Sequence, residues 1–253
     1  MSEFLANGKA GVTASIPAVV SSRFGVVQRE GRVEIMEQTI NPLALDIMSL
    51  LVDLDISTAD CQSVSTAFDK LISISKRRRV ANDMAKLKEM ISVRLGPEAS
   101  EREVGLRLAL LVLGRDPLVA TLGESLYRVF AANSGKKLCD IVYPELPPET
   151  GVPVVERIVV APFEFAGCSF AVGDRLRVFL QSFAYVDEPR VTTSFFGGGA
   201  HTCLGRPLSI AIWEAITALL SEVPLRVQLL SYCTRDSDYV FTCPERLEVE
   251  LSA

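Results

Sequence analysis

The feature that most constrains this chain is Phe196-Gly-Gly-Gly-Ala-His-Thr-Cys-Leu-Gly205, a glycine-rich loop that carries Cys203 to the start of an apolar helix. Gly197, Gly198, Gly199 and Gly205 have no Cβ, so the backbone can turn tightly and lie flat against a planar partner. The helix expected to begin near Arg206-Pro207 has free N–H groups at its start, and these stabilise a thiolate. Phe196 and Leu204 supply apolar cover that keeps water away from a metal–sulfur bond.

Other chemistries fit this loop poorly. A phosphate cradle needs Lys after the glycines, and none follows. A dinucleotide fingerprint counted from Gly197 and Gly199 meets Thr202 where its third glycine belongs. Zinc sites use C-x-x-C pairs or several histidines, whereas this chain has no such pair and His201 is its one histidine. Two readings stay open: a thiolate ligand for haem iron, or a glycine-rich turn in which Cys203 is a small buried hydrophobe.

At 253 residues and 49% hydrophobic content, the chain can bury a substantial core. Its net charge of −5 leaves no footprint for nucleic acid or an anionic membrane. Lys76-Arg77-Arg78-Arg79 is the local exception; it reads as a solvated helix end offsetting the dipole, or as a patch for an acidic partner. Six cysteines without paired spacing suit a reducing cytoplasm. No signal-peptide pattern and no apolar run of membrane-spanning length is expected.

Along the chain, residues 1–27 read as an N-terminal extension, partly disordered at its start, and residues 28–253 as a single domain. Helical spacing of apolar residues covers Gly31 to about Leu54. Ser57-Thr58-Ala59-Asp60 offers caps for a helix ending near Arg79, and another helix covers roughly Asn82 to Leu95, closed by Gly96-Pro97. Glu101 to Phe130 reads as a long apolar helix interrupted at Gly114-Arg115-Asp116-Pro117. Prolines then mark a loop, and Val154–Phe183 is rich in strands with turns at Ala166-Gly167 and Gly173-Asp174. A helix over Pro207 to Glu222 and strands over Leu225 to Leu251 close the chain. The fold class is mainly α with a smaller β portion.

The pattern F-x-x-G-x-H-x-C-x-G over residues 196–205 resembles the haem-ligand loop of the cytochrome P450 family. Other stretches resemble that family in order: the region from Gly31 to Asp60, the central helix over Ala109 to Leu126, and the hairpin Phe165 to Asp174. The resemblance implies a shortened P450-like core holding haem b. It gives Cys203 as the iron ligand, with Phe196, Gly199, Leu204 and Gly205 shaping the loop. Arg157 and His201 match positions that bind haem propionates, a charge-assisted contact in the case of arginine; a surface arginine and a structural histidine are the plainer readings.

Departures from the family are specific. The family's N-terminal elements have no counterpart. E-x-x-R occurs nowhere, and its positions hold Ile141 and Pro144. The segment Val186 to Ser194, which normally carries the arginine partner of that motif, is cut short. Joint loss of both halves of a buried ion pair is far less costly than loss of one. In the central helix the family's acid aligns with Asp116 and its threonine with Pro117, which has neither hydroxyl nor N–H. Asp116 alone could act as an acid or order water, or could simply pair with Arg115 or Arg128.

The resemblance therefore implies a haem-thiolate oxidoreductase acting on a small organic substrate, as a monooxygenase or by peroxide-driven or rearrangement chemistry. The alternative is a non-catalytic haem-binding or partner subunit. Implied partners are the substrate, a redox partner of ferredoxin/reductase type, and a second copy or complementing subunit covering what the shortened chain exposes.

Overall fold

A computed structural model describes residues 2–61, 64–69, 71–180, 194–235 and 240–253. Its elements are best built outward from the longest one. This is helix α5 (Glu101–Ala132), which follows α1 (Ser2–Phe24), α2 (Asn41–Val52), α3 (Thr58–Cys61) and α4 (Ile74–Leu95) in the chain. Ser100 caps α5 by accepting the Glu103 N–H at 3.2 Å, and Glu101 and Glu103 place negative charge where the dipole favours it. Residues 118–126 of α5 are all buried, which explains why the expected interruption does not occur. Burial of the turns that follow carries the helix on past Pro117 although one backbone bond is lost there.

Helices α2 and α4 both pack on α5; α2 buries Leu43, Ala44, Ile47 and Met48, and α4 buries Val80, Leu87 and Ile91. A π-helical turn at Met36–Ile40 leads into α2. The sequence spacing predicted helix from Gly31, but Gly31–Glu34 is strand β1. Four residues are too few to show an alternating pattern, and the partner strand lies some 200 positions away.

The helix expected from Ser57 to Arg79 is likewise divided. Short α3 is followed by a 3-10 turn at Val64–Phe68, and α4 begins at Ile74, where Ser73 accepts the Lys76 N–H at 3.3 Å. The basic run therefore occupies the first turns of a helix and does not offset its dipole. Exposure to water and the Lys76–Asp69 ion pair at 3.5 Å make the placement tolerable. Helix α4 then runs unbroken to Gly96, whose φ of +84° ends it.

Residues 1–27 also differ from expectation. Ser2–Phe24 is a helix whose Val12, Ile16, Val20 and Phe24 fall four apart and are buried. It packs on α2 and on α6 (Arg206–Leu220), so it belongs to the core and is no loose extension. Arg23 fastens it to α2 with a two-point contact to Asp46 at 2.6 and 2.8 Å.

Helix α6 buries Leu208, Ile212, Trp213, Ile216 and Leu220. The Trp213 indole N–H donates to the Pro144 carbonyl at 2.9 Å, which ties α6 to the proline-rich loop. The main sheet is antiparallel, in the order β1–β7–β6, with β6 at Arg226–Thr234 and β7 at Pro244–Ser252. Leu247, Val249 and Leu251 alternate into the core from the central strand β7. One apolar cluster runs continuously from Val12 to Leu251.

Between α5 and α6 lie two small antiparallel pairs. Strand β2 (Val154–Ile158) pairs with β5 (Arg175–Phe179), and β3 (Phe163–Phe165) with β4 (Cys168–Phe170). Turns at Ala166-Gly167 and Gly173 have positive φ, as the turn residues suggested. Of the segment 186–194, whose abbreviation the sequence indicated, residues 186–193 lie outside the described residues.

Candidate haem site

The loop before α6 is shaped by its own backbone. Two 3-10 turns, Ser194–Phe196 and Gly199–His201, flank Gly197 and Gly198. Gly197 has φ +75°, and a Cβ there would lie 2.5 Å from the His201 carbonyl oxygen, so only glycine fits. The Cys203 N–H donates to the Phe196 carbonyl at 2.6 Å, closing the loop, and the Arg206 N–H donates to the Cys203 carbonyl at 3.2 Å. Cys203 is thus held three residues before the N-terminus of α6, the positive end of that helix's dipole.

The loop forms one wall of a cavity of about 330 Å³. Phe196, Cys203, Leu204, Gly205, Leu208 and Ser209 line this side. Opposite them stand Leu106, Ala109, Leu110, Leu113, Gly114 and Pro117 of α5, with Met48 and Leu51 of α2 beyond. No charged side chain lines the cavity among the described residues. The space between Cys203 and α5 is therefore an apolar slot with one thiol.

A third wall was not foreseen from sequence. Thr150 and Val152 reach the cavity because their segment is stapled to α5. The Gly151 N–H donates to Thr121 Oγ1 at 3.1 Å, and the Glu149 N–H to Ser125 Oγ at 3.3 Å. Arg128 pairs with Glu149 at 2.8 Å, and the Thr242 N–H donates to the Gly151 carbonyl at 2.9 Å. Glycine between Thr150 and Val152 is the one sequence signal of such close approach.

Other residues singled out from sequence lie off this cavity. Asp116 is buried, but its carboxylate accepts from Arg115 Nη1 at 2.7 Å and from the Ser65 hydroxyl at 3.1 Å. Arg157, on β2, is exposed and donates from Nη1 to the Glu156 carbonyl at 2.8 Å. His201 and Gly199 sit on the outer side of the loop, both exposed. The structure brings Phe196, Cys203, Leu204 and Gly205 together at the cavity and leaves Gly199, Asp116, Arg157 and His201 outside its lining.

Among the described residues, no group of three or more His, Cys, Asp or Glu side chains is placed to hold a metal ion. No described helix is long and apolar enough to cross a membrane.

Several buried titratable groups lie on or beside the second half of α5. Burial pushes the Glu124 carboxyl above its usual range, opposed by the Tyr232 hydroxyl, which donates to Glu124 Oε1 at 2.7 Å. Burial also raises the thiols of Cys61 and Cys243, to about 11 and about 12.

No protein-family model and no curated protein matches the sequence. Solved structures do match in shape. The testosterone complex of CYP109E1 from Bacillus megaterium superposes with a TM-score of 0.74 and 16% identity, over 98% of this chain and 80% of that one. The haem domain of CYP116B5 from Acinetobacter radioresistens gives 0.73 and 15%, over 96% and 71%. P450BioI, in complex with an acyl carrier protein bearing hexadec-9Z-enoic acid, gives 0.68 and 17%, over 96% and 75%. The element order, the long central helix and the cysteine loop before α6 together give this chain a shortened form of the cytochrome P450 fold.

Proposed function

We propose that this chain is a haem-thiolate protein, and that it acts as an oxidoreductase on a small, apolar organic substrate. The observation that carries the reading is the position of Cys203, which lines one apolar slot together with Gly114 and Pro117 of α5. The donor set fits haem: one thiol, small residues across the gap, and a loop that only glycine at 197 can form. Haem bound there by a thiolate would supply redox chemistry at its iron.

The chain's own residues would do the rest. Cys203 would hold the iron, and the N-terminus of α6 would stabilise the sulfur's negative charge. Phe196, Leu204 and Leu208 would exclude water, while Gly199 and Gly205 let the loop lie flat. Arg157 and His201 would hold the carboxylates at the macrocycle's edge, outside the apolar slot, where water and cations are both at hand. Asp116 would order water through the Ser65 hydroxyl and Arg115, the two groups it contacts. A redox partner of ferredoxin/reductase type, or peroxide, would supply oxidising equivalents, and the cytoplasm suits the free thiols.

A second reading, a non-catalytic haem-binding or partner subunit, is favoured by one observation. Val160, Phe165 and Val172 are more than half exposed, an apolar display suited to a second copy or a complementing polypeptide.

The test is spectroscopic. Protein produced with haem, then reduced and exposed to carbon monoxide, should give a thiolate-type red-shifted Soret band that Cys203→Ala abolishes. Absence of the band in the parent protein would overturn the haem reading. The band without turnover by electron donor or peroxide would select the non-catalytic one.

A further inference from the structure

Pro117 sits inside α5 and lines the cavity one turn beyond Leu113, which lines it too. Proline has no N–H, so the Leu113 carbonyl loses its i+4 donor, and the ring pushes that carbonyl off the helix axis. Leu113 and Pro117 share a face, and that face is the cavity wall. Gly114 beside them adds no side chain to screen the oxygen.

Two other polar groups on this side of the wall, Thr121 and Thr150, are already engaged, and Ser209 stands across the cavity beside Cys203. Thr121 Oγ1 accepts from the Gly151 N–H, and Thr150 Oγ1 from the Val152 N–H, both at 3.1 Å. Asp116 turns its carboxylate to Arg115 and Ser65, so the adjacent negative charge does not line the slot. Leu106, Ala109, Leu110 and Leu118 make the surroundings apolar. A carbonyl in such a place gains most from a neutral donor carried in by a ligand.

We propose that the Leu113 carbonyl is the specificity-determining acceptor of this cavity, selecting neutral apolar ligands that carry a single hydroxyl or amide N–H over hydrocarbons of the same shape. The inference rests on the reading of the cavity as the ligand site, and names the ligand class that site would take. It does not depend on iron being present.

Two probes of matched shape test it, 1-adamantanol and 1-fluoroadamantane, of which the first alone has a donor. Calorimetric titration of the protein, as purified and again after haem loading, should show the alcohol binding about five- to tenfold tighter, the worth of one hydrogen bond. The Leu113 carbonyl carbon should shift in NMR spectra with the alcohol and not with the fluoride. In Pro117→Ala a backbone N–H reclaims the carbonyl, and the preference should disappear while fluoride binding persists. Equal binding of both probes, binding of neither, or a preference surviving Pro117→Ala would overturn the proposal. A missing thiolate-type spectrum with the preference intact would sink the haem reading alone, and a normal spectrum without the preference would sink this one alone.

Discussion

Replacing Gly151 with alanine should unsettle the molecule more than any other single methyl group. A Cβ at this position would stand 2.6 Å from both the Ala120 carbonyl carbon and the Thr121 nitrogen. Carbon atoms pack best at about 3.5–4 Å, so backbone must separate from backbone by about an ångström. No flexible side chain can yield instead, because the opposing atoms belong to the buried middle of α5. Separation stretches the Gly151–Thr121 and Thr242–Gly151 hydrogen bonds, now 3.1 and 2.9 Å. Overpacking costs about 1–3 kcal/mol, and two weakened bonds add about 1 kcal/mol each at most. The expected loss is about 3 kcal/mol, which for a chain this long lowers the melting temperature by about 6–12 °C. Urea denaturation should show a lower midpoint at unchanged slope. Gly105→Ala provides the internal control: it lies within α5 with nothing near its absent Cβ, so the same methyl should stabilise by about 0.5–1 kcal/mol. A Gly151→Ala protein within about 0.5 kcal/mol of its parent would refute the close contact between this loop and α5.

Two further outcomes follow from the titratable groups. Burial raises the Glu124 carboxyl above its ordinary value of 4.5, so the folded chain holds this proton more tightly than the unfolded one. Its stabilising contribution is complete below that ordinary value and is lost as pH rises through the raised one; Glu124→Gln, which still accepts from Tyr232, should flatten this decline in unfolding experiments. An unchanged pH profile would remove Glu124 as its source. Maleimide at pH 8 should label exposed Cys139, Cys168, Cys203 and Cys233 quickly, with Cys61 and Cys243 slow because burial raises their thiols to about 11 and about 12. Haem loading should move Cys203 alone into the slow class, and continued rapid labelling of Cys203 would contradict its ligand role.

How far the chain could be read in advance depended on the range of the interactions involved. Helix α5 was legible because its apolar content is local. The cysteine loop was legible because glycine at 197 is required by contacts within five residues. Strand β1 was misread as helix, since Val33, Ile35 and Met36 satisfy a helical spacing and the deciding partner is β7. Its pairing is reinforced by the Leu247 N–H donating to Glu34 Oε1 at 2.8 Å, a contact no short window contains. Helix α1 was missed because Gly8, Gly11 and Pro17 weaken local propensity, while burial of its four-residue stripe against α6 prevails. Thr150 and Val152 could not be assigned to the cavity without knowing that Gly151 touches Ala120.

Strand β7 occupies the middle of the main sheet, yet it is made of residues 244–252. During synthesis β1 has no neighbour to bond until those residues have left the ribosome, and β6 alone cannot reach it. Apolar helices emerging earlier must therefore wait with one flank unsealed, dependent on chaperones or on mutual clustering. Closure of the main sheet is therefore tied to the emergence of β7, and yield should depend less on translation speed through the first two hundred codons than on what holds the helices until that strand appears.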